Sequence, residues 1–149
     1  MRIALYQPEI AQNVGAVLRL GACMGIAVDL IEPMGFNWDD KRVRRTAMDY
    51  IDAVEIVRHP DFEAYRTARP GRLLLLSTKG ERSPYDFAFE PGDNLLFGQE
   101  SAGVPADIAA RCDSILRIPI AAQVRSLNLA TAAALAIGEA LRQTGELPQ

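Results

Sequence analysis

Short apolar runs and amphipathic stretches alternate along the whole chain. Residues 2–6, Arg2-Ile3-Ala4-Leu5-Tyr6, are rich in β-formers and predict a first strand. Asn13 stands as the N-cap of a helix running to about Met24. Within it Val14, Val17, Leu18 and Gly21 make the i, i+3, i+4, i+7 stripe that packs on a sheet, and Gly25 is the stop. Gly15, Arg19 and Ala22 lie on another face, where small residues flanking an arginine leave room for a ligand or a second subunit. Further strands are predicted at 26–31, 53–58, 72–77, 94–97 and 114–118. Asp39 or Asp40 caps a short helix, and Pro60 at the first helical position opens one that ends before Pro70. Residues 105–111 form a short helix, and 128 to about 144 form the last, closed by Gly145. This alternation is that of one α/β domain over residues 1–149, a mainly parallel sheet flanked by helices.

The last helix has two apolar stripes. Leu127, Ala130, Ala134, Ile137 and Leu141 step by three and four, and Leu129, Ala132, Ala133, Ala136 and Ala140 form a second set. A helix apolar on two faces is buried on two sides, and the second side predicts another subunit.

Composition narrows the class. The chain has 149 residues, 49% hydrophobic and 23% charged, as in a globular domain with a real core. No apolar run reaches the roughly 20 residues that span a bilayer, and the N-terminus reads as a strand rather than a signal peptide. A cytoplasmic protein with no membrane association is expected. Cys23 and Cys112 have no metal-ligand spacing and are expected as reduced, packed thiols; the single histidine, His59, reads as local structure. A metal site and a His-based triad are both poor fits. The net charge of −3 disfavours nonspecific coating of nucleic acid but permits a local basic patch.

Four stretches carry polar groups that packing does not require. Asn13 and Arg19 lie roughly 9 Å apart along one helix, and an arginine beside glycine and alanine wants a phosphate or carboxylate. Residues 95–105 end a strand in Gly98 and continue Gln99-Glu100-Ser101-Ala102-Gly103, where glycine permits close backbone approach to a ligand and Glu100 either receives N–H groups or caps a helix. In Ile118-Pro119 through Arg125-Ser126-Leu127-Asn128-Leu129-Ala130 a strand end feeds a polar loop and a helix start, the place where open α/β sheets bind ligands; Ser126 or Asn128 as a plain N-cap is the alternative. Lys41, Arg42, Arg44 and Arg45 follow Phe36 and Trp38, which is either a solvated helix or the aromatic-plus-basic pairing that holds RNA. Neither Gly-x-Gly-x-x-Gly nor a Walker lysine motif is present.

Asn13 to Arg19, Phe97 to Pro105, and Ile118-Pro119 with Ser126 to Ala130 resemble, in order, the three motifs of the SpoU-type RNA 2′-O-ribose methyltransferases of the SPOUT superfamily. Residues 31–45 are similar to the short subgroup that methylates the wobble nucleotide of tRNA, position 34, cytidine or modified uridine. The resemblance covers essentially the whole chain. It implies a C-terminal deep trefoil knot, a homodimer, tRNA bound at its anticodon region, and S-adenosylmethionine as cofactor. It implies catalytic roles for Arg19, Asn13 and Ser126. It implies cofactor contacts from Leu76, Ser77, Gly98, Glu100, Ile118, Ser126, Leu127 and Asn128, with Glu100 and Asn128 also holding loops. RNA contacts would come from Lys41, Arg42, Arg44, Arg45 and Arg125. Methylation of another tRNA or rRNA site, and a non-catalytic RNA-binding dimer, are the alternatives. Gln99, Ala102 and Gly138 depart from the residues common in relatives at those places, which bears on RNA contact and dimer packing.

Overall fold

The run Leu73-Leu74-Leu75-Leu76 is buried at every position, as a parallel strand covered on both faces must be. It is β4 (Leu73–Leu76) in a computed structural model that describes residues 1–149 apart from the side chain of Asp40. The other elements are β1 (Arg2–Tyr6), α1 (Ala11–Met24), β2 (Ala27–Ile31), α2 (Asp40–Ala47), β3 (Ile56–His59), α3 (Phe62–Ala68), β5 (Asn94–Phe97), α4 (Ala106–Ala109), β6 (Ser114–Leu116) and α5 (Leu129–Thr144). The strands make one parallel sheet in the order β3-β2-β1-β5-β4-β6. On one face Ile3, Leu5, Val28, Leu30 and Leu95 pack under Val14, Val17 and Leu18 of α1 and Ile137 of α5. On the other Ala4, Leu73, Leu75 and Leu96 pack under Phe62 and Tyr65 of α3 and Ile108 of α4.

Several expected boundaries move. α1 begins at Ala11 with Ile10 as its N-cap, and no side chain of that residue bonds the helix, so Asn13 is an interior residue of the first turn and not the cap. Residues 50–53 form a 3-10 turn after Asp49, whose φ is +66°, and β3 starts only at Ile56, where the ladder to β2 begins. Pro60 lies outside α3; Asp61 is its cap and accepts from the Ala64 N–H at 2.8 Å. β6 ends at Leu116 because the β4 ladder ends there, and the next amide, Arg117 N–H, donates to the Arg82 carbonyl at 2.8 Å. Of the two candidate caps of α2, the side chain of Asp40 lies outside what the structure describes, and Asp39 accepts from the Lys41 N–H at 2.9 Å.

α5 is sorted differently from the two expected stripes. It buries Leu129, Ala133, Ala136, Ile137, Ala140 and Leu141, drawn from both sets, while Ala134 is exposed and Leu135 is 42% exposed. The face of α1 reserved for a ligand or subunit is partly closed from within: a Cβ on Gly15 would stand 2.5 Å from Thr46 Cβ, so α2 packs directly on this glycine.

His59 is structural, as expected, through a charge cluster that local sequence does not announce. Its Nε2 lies 2.7 Å from a carboxylate oxygen of Asp29, which is fully buried and also bonded to Arg2 at 2.6 Å and paired with Arg69 at 3.3 Å. Burial works to raise the Asp29 carboxyl, but the bonds from Arg2 and His59 and the charges of Arg2 and Arg69 outweigh it and hold it below the usual carboxylate range. The two cysteines are unpaired; Cys112 is half-buried, whereas Cys23 is exposed and not packed as expected. Among the described residues no helix is long and apolar enough to cross a membrane.

Candidate active site

The order of the sheet makes β1 and β5 neighbours while β2 lies on the far side of β1, so the connections diverge between them. At such a switch point the loops leaving the carboxyl ends of two parallel strands part and leave a crevice. Here they are residues 7–10 after β1 and 98–105 after β5, and they are stitched together by side chains. Gln99 Nε2 donates to Gln7 Oε1 at 3.2 Å. Ser101 gives both its N–H and its hydroxyl to the Glu9 carboxylate, at 2.9 and 2.7 Å. Those bonds, the hydroxyl's first, hold the Glu9 carboxyl below the usual carboxylate range.

Glu100 closes the crevice. One carboxylate oxygen accepts from Glu9 N–H at 2.9 Å, and the other from Ile10 N–H and Asn13 Nδ2, both at 3.3 Å. Helix N-termini leave unsatisfied N–H groups with partial positive charge. Glu100 therefore does for α1 what its own N-cap residue does not. Asn13 Oδ1 then accepts from Asn128 Nδ2 at 2.9 Å, and Asn128 Oδ1 accepts from Ala130 N–H and Thr131 N–H at the start of α5. Asn128 is thus the N-cap of α5 and, through Asn13, joined to Glu100. A relay of three side chains ties the first helix, the 98–105 loop and the last helix.

Gly98 is needed for the shape of this loop. A Cβ there would lie 2.5 Å from the Gly103 carbonyl carbon, and Gln99 and Gly103 exchange N–H···O bonds of 2.8 and 2.9 Å. Gly103 itself sits at φ +66°, the left-handed region that favours glycine. Beside it, after β4, the 77–82 segment runs against the end of β6. Ser77 N–H donates to the Leu116 carbonyl at 2.9 Å, and a Cβ on Gly80 would stand 2.6 Å from the Leu116 carbonyl carbon. Leu76-Ser77, Gly98 and Ile118 follow three adjacent strands, β4, β5 and β6, at the carboxyl end of the sheet. Ser126 and Arg125 are exposed in the segment that leads to α5.

Arg19 is not part of this cluster. Six residues beyond Asn13, it lies roughly 240° further around α1. Its Nη1 is 2.9 Å from Met48 Sδ, and its guanidinium lies 5.2 Å from the Tyr50 ring centre. All three side chains are exposed, Met48 at 57% and Tyr50 at 38%. The basic helix α2 is exposed along Lys41, Arg42, Arg44 and Arg45. Arg44 is engaged by Asp52 through two bonds of 3.1 Å. Arg42 and Arg45 line a cavity of about 160 Å³ with Ala11 and Gln12.

Glu9 and Gln7 were not among the expected site residues. Nothing in local periodicity singles them out, because their partners are 92 residues away. Among the described residues no group of three or more His, Cys, Asp or Glu is placed to hold a metal ion.

The same arrangement of sheet and loops occurs in solved structures. One that addresses 2′-OH methylation of C/U34 on tRNA superposes with a TM-score of 0.91 at 43% identity, covering 95% of this chain and 94% of that one. The SpoU methyltransferase AviRb from Streptomyces viridochromogenes, solved with its cofactor AdoMet, superposes with a TM-score of 0.82 at 28% identity, over 96% of this chain and 57% of that one. Among curated proteins, a tRNA (cytidine(34)-2′-O)-methyltransferase of Beijerinckia indica is 51% identical, covering 97% of this chain and 92% of that protein. The Escherichia coli K12 protein of the same name is 43% identical, over 97% and 94%. With residues 1–138 matching the family model as well, the chain belongs to the SpoU rRNA methylase family.

Proposed function

We propose that this chain is an S-adenosylmethionine-dependent methyltransferase that places a methyl group on the ribose 2′-oxygen of the wobble nucleotide of tRNA, cytidine or modified uridine at position 34. The relay Glu100–Asn13–Asn128 carries the reading, since it builds a crevice at the switch point out of all three motif regions. Relatives named for this reaction match 97% of the chain. Residues 1–149 are read as one SPOUT methyltransferase domain acting in the cytoplasm, and the close crossing of 77–82 over the end of β6 as part of a trefoil knot.

The residues present fit the cofactor. The ends of β4, β5 and β6 at Leu76-Ser77, Gly98 and Ile118, with Ser126 and Leu127 just ahead of α5, are the residues that would hold it, and Gly98 lets backbone pack closely there. Both carboxylate oxygens of Glu100 and both amide atoms of Asn128 are already bonded within the chain, so these two shape the pocket more than they touch its contents. Bound there, S-adenosylmethionine supplies a methyl group already activated by its positive sulfur. The chain's task is then to bring the hydroxyl in line and to stabilise the charge that develops on its oxygen. The guanidinium of Arg19 is suited to that charge and to the adjacent phosphate, and it would meet them where a second protomer brings its flank of α1 to the crevice. Ser126 orients groups around it, while Asn13, both of whose amide atoms are bonded to Glu100 and Asn128, acts by holding the loops in place. Lys41, Arg42, Arg44, Arg45 and Arg125 bind the RNA backbone, Arg44 after exchanging its Asp52 partner for phosphate.

Arg19 and the crevice residues occupy different flanks of α1, and the surface around Arg19, Met48 and Tyr50 is exposed. A homodimer that covers this surface and the exposed side of α5 at Leu135 accounts for both features. The test is mass spectrometry of tRNA from a strain lacking the gene, before and after complementation. A ribose methyl missing at nucleotide 34 and restored by the gene is expected; a methyl lost elsewhere, or none lost, overturns the assignment.

A further inference from the structure

A second cavity, of about 370 Å³, opens at the carboxyl ends of β2 and β3. Its volume falls in the roughly 300–1,000 Å³ range of small-ligand sites. Its walls combine Pro33, Met34, Phe36, Trp38 and Pro60 with the polar groups of Glu32, Asn37 and Arg58, which make up most of the exposed lining. The Arg58 guanidinium lies 5.3 Å from the Trp38 ring centre and is bonded by Nε, at 3.1 Å, and by Nη2 to the Glu32 carboxylate, so the plane of the cation is held in place. Asn37 and Glu32 add hydrogen-bonding groups at the same wall.

We propose that this cavity binds one unstacked base of the RNA substrate, a base other than that of the methylated nucleotide. The inference rests on the tRNA reading above. Three observations support it. Unstacked RNA bases are held between aromatic rings and arginine planes with polar groups at their edges, and the cavity presents that set. It adjoins α2, whose exposed Lys41, Arg42 and Arg45 suit the phosphates on either side of such a base. It is also fixed to the crevice. Gly35 N–H donates to the Pro8 carbonyl at 2.9 Å, and a Cβ on Gly35 would stand 2.9 Å from Glu9 Cα. Glu9 in turn is bonded to Glu100 and Ser101. β2 is two strands from β5, about 10 Å at the usual spacing, and the cavity and the Gly98 loop both lie at the carboxyl end of the sheet.

The chain has a single tryptophan, so the wild-type protein carries its own probe. Anticodon stem-loop RNAs with cytidine at position 34, intact or with one loop base removed at a time, would be titrated into the protein while Trp38 emission, RNA anisotropy and methyl transfer are all followed. The expected result is quenching that saturates with binding and is lost when one particular loop base is absent. Trp38→Ala should weaken RNA binding roughly 5- to 150-fold with the affinity for S-adenosylmethionine unchanged, and Trp38→Phe should restore most of it. Normal binding and methylation with unchanged emission, or equal quenching by every loop, overturns the base pocket and leaves the tRNA reading standing. Absence of both binding and methylation overturns both.

Discussion

Replacing Glu100 tests whether a residue of the 98–105 loop holds the start of α1. In Glu100→Ala the Glu9 N–H loses a 2.9 Å charged partner, and the Ile10 N–H and the Asn13 amide lose longer ones of 3.3 Å. A hydrogen bond to a charged group contributes roughly 1.5–3 kcal/mol, and a carboxylate at a helix N-terminus roughly 0.3–1 kcal/mol. The three bonds do not add in full, because Ile10 is exposed and water replaces the carboxylate there. A net loss of about 2–3 kcal/mol follows, which for a chain of this length lowers Tm by about 4–12 °C. Glu100→Gln should fall close to the alanine variant, since its amide nitrogen would face donors and its charge is gone. Thermal and urea unfolding give the stability, and calorimetric titration gives the affinity for S-adenosylmethionine, which should fall because the Gly98 loop is no longer pinned to α1. A Tm within about 1 °C of wild type would falsify the capping role. A large drop in Tm with unchanged cofactor affinity and turnover would refute the link between this relay and the pocket.

Arg19→Ala should keep the fold and cofactor affinity but lower kcat by roughly 10²- to 10³-fold, as removal of one transition-state donor does; near-normal turnover would sink the role given to Arg19. Gly98→Ala places a Cβ 2.5 Å from the Gly103 carbonyl carbon, so a stability loss of about 1–3 kcal/mol and weaker cofactor binding are expected from unfolding and titration. Asp29→Asn should cost about 3 kcal/mol, the lower end for breaking a buried ion pair, because Arg2 and Arg69 keep some contact with water. The Asp29 carboxyl is held low, so its stabilisation is complete above the unfolded carboxylate pKa of about 4 and is lost as pH falls through the folded value; denaturation midpoints below about pH 4 should flatten in the variant relative to wild type. Gly138 has open space where a Cβ would stand, so Gly138→Ala should raise stability by roughly 0.8–1.0 kcal/mol, and a lowered midpoint would show a close neighbour at this position in the assembled protein.

Signals that act within one turn or one strand were readable in the chain. Gly25 and Gly145 close their helices at φ +67° and +73°, and Asn128 caps α5 through Ala130 and Thr131. β1 and β5 lie where alternation and apolar runs put them. The site was legible as three ordered motifs, but not as geometry. Asn13 has the chemistry of a cap and sits in the right turn, yet its amide is spent on Glu100 and Asn128, 87 and 115 residues away. The sorting of α5 was equally out of reach. Two stripes of similar small residues cannot say which one meets α1 and β5, and the helix buries a mixture of both.

The sequence by itself determined the α/β class, the order of the elements and the residues able to do the chemistry, because those follow from periodicity, turn preference and motif order over short spans. Tertiary structure alone decided that Glu100 caps a helix it does not belong to, that Glu9 fastens two loops, that Asp29 is buried among three cations or potential cations, and that Arg19 stands away from the crevice. Each of these depends on which strand ends the sheet order makes neighbours, and a carboxylate carries no local mark of the N–H group that folding will bring to it.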